Sequence, residues 1–600
     1  MNSLEFARAQ ASGQDRPDVQ PPLPAQPAPC EPDPYGDLDR SLHAAFARFT
    51  GGIAPYSMIA PLVDWSVHLA LDPGRRARLA VDWLHTCEEF RRYALSGNPA
   101  REAPVLADDR DRRFRASAWE TWPYPLLVQA FLLCQRWWQH ATTDVPGVTH
   151  QHERVLQFLT RQMLDAFSPS NFPAWNPEVL ERTRSEGGMN LVRGACNAIR
   201  DWQRLAAPES APETAPSFVP GKDVAVTSGK VVFRNHLMEL MQYNPSGGSA
   251  HPEPVLLVPA WIMKYYILDL SPGNSLVKFL VDAGYEVFVI SWRNPDAGDS
   301  ELTMEDYRKH GVGAALQAIA DIASGARVHV AGYCLGGTLL AIALAAMQAE
   351  ESACIASASL FAAQTDFTEA GELKLFIDEG QLAFLDDAMW SRGYLDAKQM
   401  AGAFQMLRSN DLFWSRLIRS YLLGHDSSTS DLMSWNADAT RMPFRMHSEY
   451  LRRLFLDNDL AEGRFVAGGR PVALSDIRQP VFAVGTNLDH VAPWRSVYKT
   501  SLLVRGQFTF VLTEGGHNAG IVSEPGHPGR HYRIATREAR EPHLDADTWA
   551  AAAHVKEGSW WIEWEKWLRA RSGAAPVPCR MGSAAFPALA DAPGEYVFQK

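Results

Sequence analysis

Residues 327–347 read RVHVAGYCLGGTLLAIALAAM. Arg327–Tyr333 has the apolar, partly β-branched character of a buried strand, and Thr338–Met347 that of a buried helix. Between them lies Gly332-Tyr333-Cys334-Leu335-Gly336-Gly337, the pattern Gly-x-Cys-x-Gly. A nucleophile on a sharp strand-to-helix turn sits in a strained backbone conformation, and residues two before and two after it must be small for the chain to cross itself. The turn puts the Cys334 sulfur at a helix N-terminus, where the dipole and free N–H groups favour a thiolate. The N–H of Leu335 is then placed as one half of an oxyanion hole. A free cysteine is commonly a small buried hydrophobe. The flanking strand and helix weigh for a nucleophile.

The partners of such a nucleophile follow it in the order acid, then base, each after a later strand. Asp489 follows VFAVGTNL and His517 follows FTFVLTE, both on short loops just beyond strand-like runs. A lone loop aspartate is ordinarily a turn cap, and one histidine among 18 carries little weight. The ordered set of Cys334, Asp489 and His517 carries more than its members separately. His490 is a second candidate base, with a supporting role suggested by its neighbour Asp489. Upstream, VLLVP at 255–259 leads into Ala260-Trp261-Ile262-Met263-Lys264, and the backbone N–H near Ile262 is the candidate for the other half of the oxyanion hole.

The runs VVFR, MELMQY, VLLVP, YEVFVISW, RVHVAGY, IASASLFAA, VFAVGT and FTFVLT read as strands, most of them separated by helical patterns. That alternation predicts a mainly parallel sheet covered on both faces, an α/β-hydrolase fold. It breaks between about Asp366 and Ile477, where helix and loop patterns predict a cap over the carboxyl ends of the strands. Residues 1–37 are rich in Pro, Gln and Ala and are expected to be a disordered tail. Residues 38–215 carry apolar residues at three- and four-residue spacing and predict a helical N-terminal domain, closed by the linker APESAPETAPS. The catalytic domain is expected over 216–573, with the cap inserted at about 366–477 and a C-terminal tail over 574–600.

A chain of 600 residues exceeds one compact core. A net charge of -12 weighs against nucleic-acid binding. Seven cysteines without a CxxC pair predict neither a disulfide framework nor a metal site. The N-terminus lacks the basic and apolar regions of a signal peptide. The most apolar run, 328–347, reads as strand, turn and helix and not as a membrane span, so a cytoplasmic protein is expected.

The sequence also resembles the polyhydroxyalkanoate synthases, the longer class I/II type. The matching stretches include SPSNFPAWNPEVL, GGMNLVRGA, KYYILDLSPGNSLVKFLVDAGYEVFVISWRNPD, AGYCLGG, TDFTEAGELKLFIDE, FQMLRSNDLFW, WNADATRMPFRMHSEYL, DHVAPWRSVYK and EGSWWIEWEKWLRARSG. They span roughly residues 50 to 573. The resemblance implies an acyltransferase that polymerises (R)-3-hydroxyacyl-CoA and releases CoA. It needs no cofactor, since the coenzyme A thioester is the substrate. Cys334 would carry the growing acyl chain and His517 would activate the thiol. Asp489 would complete the set and help deprotonate the incoming 3-hydroxyl. The resemblance further implies a homodimer at the surface of cytoplasmic polyester granules. Two places depart from the family pattern: Met263, where asparagine is usual, and the segment after His517, which reads Asn518-Ala519-Gly520-Ile521-Val522-Ser523 and then a longer polar stretch. A thioesterase or hydrolase on the same scaffold, and a non-catalytic granule-associated paralogue, are the alternatives.

Overall fold

The computed structural model describes residues 34–96, 103–108, 111, 113–206, 218–396, 399, 414–425 and 430–600. Most of the expected tail, the linker at 207–217 and residues 404–413 of the FQMLRSNDLFW stretch lie outside them.

Eleven strands form one sheet. In chain order they are β1 (Lys230–Arg234), β2 (Met238–Tyr243), β3 (Val255–Val258), β4 (Val287–Trp292), β5 (Val328–Tyr333), β6 (Ile355–Phe361), β7 (Val481–Thr486), β8 (Phe508–Thr513), β9 (His531–Arg537), β10 (His554–Glu557) and β11 (Ala590–Asp591). Their spatial order is β10-β9-β8-β7-β6-β5-β3-β4-β2-β1-β11. The run from β8 through β4 is parallel, and antiparallel pairs flank it on both sides. Every residue of β3 through β8 is buried, which explains why these strands read as continuous apolar runs and not as alternating ones.

Side chains alternate between two cores, one on each face. Phe288, Ile290 and Trp292 of β4 point to one, and Val287 and Val289 to the other.

Among the described residues, seven α-helices precede the sheet: α1 (Pro34–Phe49), α2 (Pro55–Leu71), α3 (Pro73–Leu95), α4 (Tyr124–Thr142), α5 (His150–Ala166), α6 (Pro177–Ser185) and α7 (Met189–Ala206). Their starts follow local chemistry. Proline occupies the first position of α2 and α3, where no N–H is needed. Asp72, Thr149 and Asn176 cap α3, α5 and α6 through their side-chain oxygens. Helices α8 (Leu276–Asp282), α9 (Ala314–Ile322) and α10 (Leu335–Ala346) follow within the sheet domain. The cap contributes α11 (Glu379–Trp390) and α12 (Phe444–Tyr450), and α13 (Trp560–Arg569) closes the second face with Trp560, Trp561 and Trp564 fully buried.

Three expectations are corrected. Residues 34–37 form the first turn of α1 and not the end of a tail. The stretch 574–600 packs into the catalytic unit: β11 pairs with β1, and Lys264 Nζ donates to the carbonyls of Tyr596 (3.1 Å) and Gln599 (2.6 Å). The cap holds short strand pairs as well as helix and loop: Tyr394–Leu395 pairs with Met442–Pro443, and Val466–Ala467 with Arg470–Pro471.

Candidate active site

Strand β5 ends at Tyr333, α10 begins at Leu335, and Cys334 alone makes the turn. Its backbone lies at φ +52°, a conformation that disfavours any L side chain. The glycines permit it. A Cβ on Gly332 would overlap the Gly337 backbone, and one on Gly336 would run into the Val258 and Pro259 carbonyls at the end of β3. Cys334 is half-buried where the two cores meet at the carboxyl edge of the sheet. As the first residue of α10, Leu335 has an N–H with no acceptor inside the helix.

Asp489 and His517 come to the same edge from the loops after β7 and β8. The Asp489 carboxylate is buried and fully occupied. One oxygen accepts the N–H groups of Val491 (2.9 Å) and Ala492 (2.8 Å), and the other accepts Thr486 Oγ1 (3.0 Å) and pairs with His517 Nδ1 (2.8 Å). These bonds fix the imidazole beside Cys334, whose side chain interacts with it. Burial alone would favour neutral His517. The charges of Asp489 and Cys334 and the hydrogen bonds to both outweigh it and hold its pKa well above the ordinary value.

The structure thus brings Cys334, His517 and Asp489 into one chain of contacts. His490 makes no hydrogen bond or ion pair with Cys334 or His517; with Asp489 it lines a cavity of about 650 Å³ whose other walls include Trp138, Arg154 and Phe158 of the N-terminal helices. Ile262 lies beside Leu335 on the wall of a second, apolar cavity. Its segment is pinned by the cap, since the Ile262 and Trp261 carbonyls accept the Thr440 N–H (3.0 Å) and hydroxyl (2.8 Å). Met263 needs no side-chain hydrogen bond to hold that segment, because its backbone bridges to Ala439.

Three residues of the site carry no signal of their own in the sequence. Tyr333 packs its ring 5.6 Å from that of His517 and donates its hydroxyl to Asn518 Oδ1 at 2.6 Å. Asn518 in turn donates to Asn436 of the cap at 3.0 Å. The unusual residue after His517 therefore ties the nucleophile strand, the histidine loop and the cap together. Tyr450, at the end of α12, is buried near Cys334; burial, with the charge at Cys334, holds its phenol far above the ordinary pKa. Among the described residues, no group of three His, Cys, Asp or Glu is placed to hold a metal, and no helix is long and apolar enough to cross a membrane.

Three family models match the chain: "Poly-beta-hydroxybutyrate polymerase N terminal" over residues 33–75, "Poly-beta-hydroxybutyrate polymerase (PhaC) N-terminus" over 110–280, and "alpha/beta hydrolase fold" over 253–524. A poly(3-hydroxyalkanoate) polymerase of Methylorubrum extorquens is 43% identical over 502 residues, 83% of this chain and 82% of that one. The poly(3-hydroxyalkanoate) polymerase subunit PhaC of Rhizobium meliloti is 38% identical over 90% of this chain and 88% of its own. Among solved structures, a soluble variant of monoglyceride lipase from Saccharomyces cerevisiae aligns with 58% of this chain and 96% of its own at 13% identity and a TM-score of 0.32. The N-terminal models match ahead of the hydrolase core, and the relatives share their likeness along both parts. The chain belongs to the poly(3-hydroxyalkanoate) polymerase family.

Proposed function

We propose that this protein is a poly(3-hydroxyalkanoate) polymerase that extends a polyester on Cys334 from (R)-3-hydroxyacyl-CoA. The observation that carries the reading is the contact chain Cys334–His517–Asp489 at the elbow, in a chain whose relatives bear that name over most of their length.

With the proton held on His517, whose pKa Asp489 and Cys334 keep well above the ordinary value, the Cys334 sulfur attacks the thioester carbonyl carbon. The N–H groups of Leu335 and Ile262 receive the developing oxyanion. The bond to the CoA sulfur breaks, and that sulfur leaves with the proton held on His517. A raised imidazole pKa suits this second transfer, because the proton stays on the ring until a leaving group takes it. One thioester replaces another, so the acyl group stays activated for attack by the next 3-hydroxyl. The 3-hydroxyl of the next (R)-3-hydroxyacyl-CoA attacks the acyl carbon and gives its proton to His517; the bond to the Cys334 sulfur breaks, and the lengthened chain, now a CoA thioester, returns to Cys334 as in the first step with release of CoA. Both Asp489 oxygens are occupied, so Asp489 acts through the imidazole.

The protein works as a homodimer on cytoplasmic polyester granules. The exposed Leu38, Phe46 and Phe49 of α1 and Ile59, Leu62 and Val63 of α2 support an apolar contact of the N-terminal helices with such a surface.

Purified protein given (R)-3-hydroxybutyryl-CoA should release CoA and deposit insoluble polyester. Release of CoA with free 3-hydroxybutyrate and no polymer would identify a hydrolase instead.

A further inference from the structure

The apolar cavity beside the nucleophile has a volume of about 110 Å³. Ile262 and Leu335 line it from the sheet side, and Leu385, His447 and Tyr450 from the cap. Ile53 lines it from the N-terminal region, in the turn between α1 and α2. That turn is not loosely laid against the cap. Gln381 of α11 clamps it through two bonds, accepting the Ala54 N–H at 2.7 Å and donating to the Gly52 carbonyl at 2.6 Å. Ile53 itself packs against Phe158 of α5 and Phe376 of the cap.

His447 is the exception in these walls. It is only 6% exposed, and burial pushes its pKa down to about 4, so the imidazole is neutral. Its Nδ1 is buried without a hydrogen-bond partner. A buried polar atom left unpaired is destabilising and calls for a partner that the free protein does not supply.

The cavity, one residue along the chain from Cys334 at Leu335, therefore offers largely apolar walls and a buried imidazole whose Nδ1 has no partner. Carbon 3 of a 3-hydroxyacyl group presents the matching pair, an alkyl substituent and a hydroxyl on one atom. Resting on the reading of Cys334 as the acyl carrier, we propose that this cavity holds the C3 substituent of the bound acyl group and that His447 Nδ1 binds its 3-hydroxyl. The N-terminal turn at Ile53 is then one wall of the acyl site. The size sets the specificity. An apolar cavity of roughly 150 Å³ holds a benzene ring, so this smaller one takes a substituent of about three carbons and no more.

The test uses the full chain and measures CoA release from (R)-3-hydroxyacyl-CoA thioesters with methyl, propyl or pentyl substituents, and from butyryl-CoA. The parent protein should lose about tenfold or more in kcat/KM between propyl and pentyl. Leu385→Ala and Ile53→Ala should each recover about fivefold of that loss. Leu385→Val and Ile53→Val make the same test with smaller cuts if the alanine variants do not fold. His447→Leu should lower the preference for (R)-3-hydroxybutyryl-CoA over butyryl-CoA, read in the first turnover, by about tenfold.

The proposal is overturned if methyl through pentyl substrates are used within about threefold, or if the wall variants leave the profile unchanged. An unchanged hydroxyl preference in His447→Leu overturns the role of the imidazole. No CoA release from any of these thioesters would instead sink the polymerase reading, and the acyl cavity with it.

Discussion

The sheet and the N-terminal helices bury their apolar residues to different degrees. Strands β3 to β8 expose nothing, and helices seal both faces. Helices α1 to α3 leave large apolar side chains in the open, Phe49 at 90% and Leu71 at 78% exposure among them. The sheet thus makes a complete core of its own, and it holds Cys334 at φ +52° and the loops of Asp489 and His517 at one edge. The N-terminal layer depends on what it docks against. It meets the cap through His43 and Asp387, through Ala47 and Ala54 against Phe384 and Ala388, and through the Gln381 clamp. The chemistry is built on the self-sufficient region, and the dependent one completes its walls.

The strongest way to break this division is at the edge of the sheet. His517→Gln should slow acylation of Cys334 by about a thousandfold, whereas His490→Gln, outside the contact chain, should change it by less than about threefold. Stopped-flow CoA release measures both. The reverse ranking would move the base to the other cavity.

The next effect lies under the sheet. Glu286, just before β4, is buried, accepts Gln242 Nε2 at 2.6 Å, and has its pKa pushed up by burial to about 7. Its folded value exceeds the unfolded 4.5, so the folded chain keeps a proton that the unfolded chain releases. The resulting stability is present below pH 4.5 and is lost as pH rises to about 7, an effect of about 3 kcal/mol. Glu286→Gln should flatten the denaturation midpoint across that window.

Gln381→Leu probes the dependent region. It removes two buried hydrogen bonds and should loosen the N-terminal turn by about 2 kcal/mol. Limited proteolysis should then cut within α1 to α3 while the main unfolding transition stays in place. Loss of both regions together would mean that they form one cooperative unit. The smallest effect on stability belongs to the exposed face: Phe49→Ser should move the midpoint by no more than about 0.5 kcal/mol, yet weaken adsorption to a polyester film.

Much of the sheet and the sharp turn at Cys334 could be read from sequence because their constraints are local. The glycines around Cys334 are spaced by a crossing that spans six residues, and buried parallel strands announce themselves as short apolar runs. Asp489 and His517 were legible by their order after strands. What stayed hidden depends on distant pairings. Asn518 bonds to Asn436, 82 residues away, and no spacing rule connects them. Tyr450 and His447 look like ordinary positions of an amphipathic helix until the cap is laid over Cys334. The stretch 574–600 reads as a tail because its strands are two residues long and all its partners are distant: Ala590–Asp591 pairs with β1, Val577–Pro578 with Ser249–Ala250, and Lys264 donates to its carbonyls.

The acyl-enzyme is the point on which the account turns. Full-length protein mixed briefly with (R)-3-hydroxybutyryl-CoA, quenched in acid and digested, should show a 3-hydroxybutyryl or oligomeric mass increment on the peptide containing Cys334. Steady CoA release with that peptide unmodified, or with the increment on another residue, would contradict it.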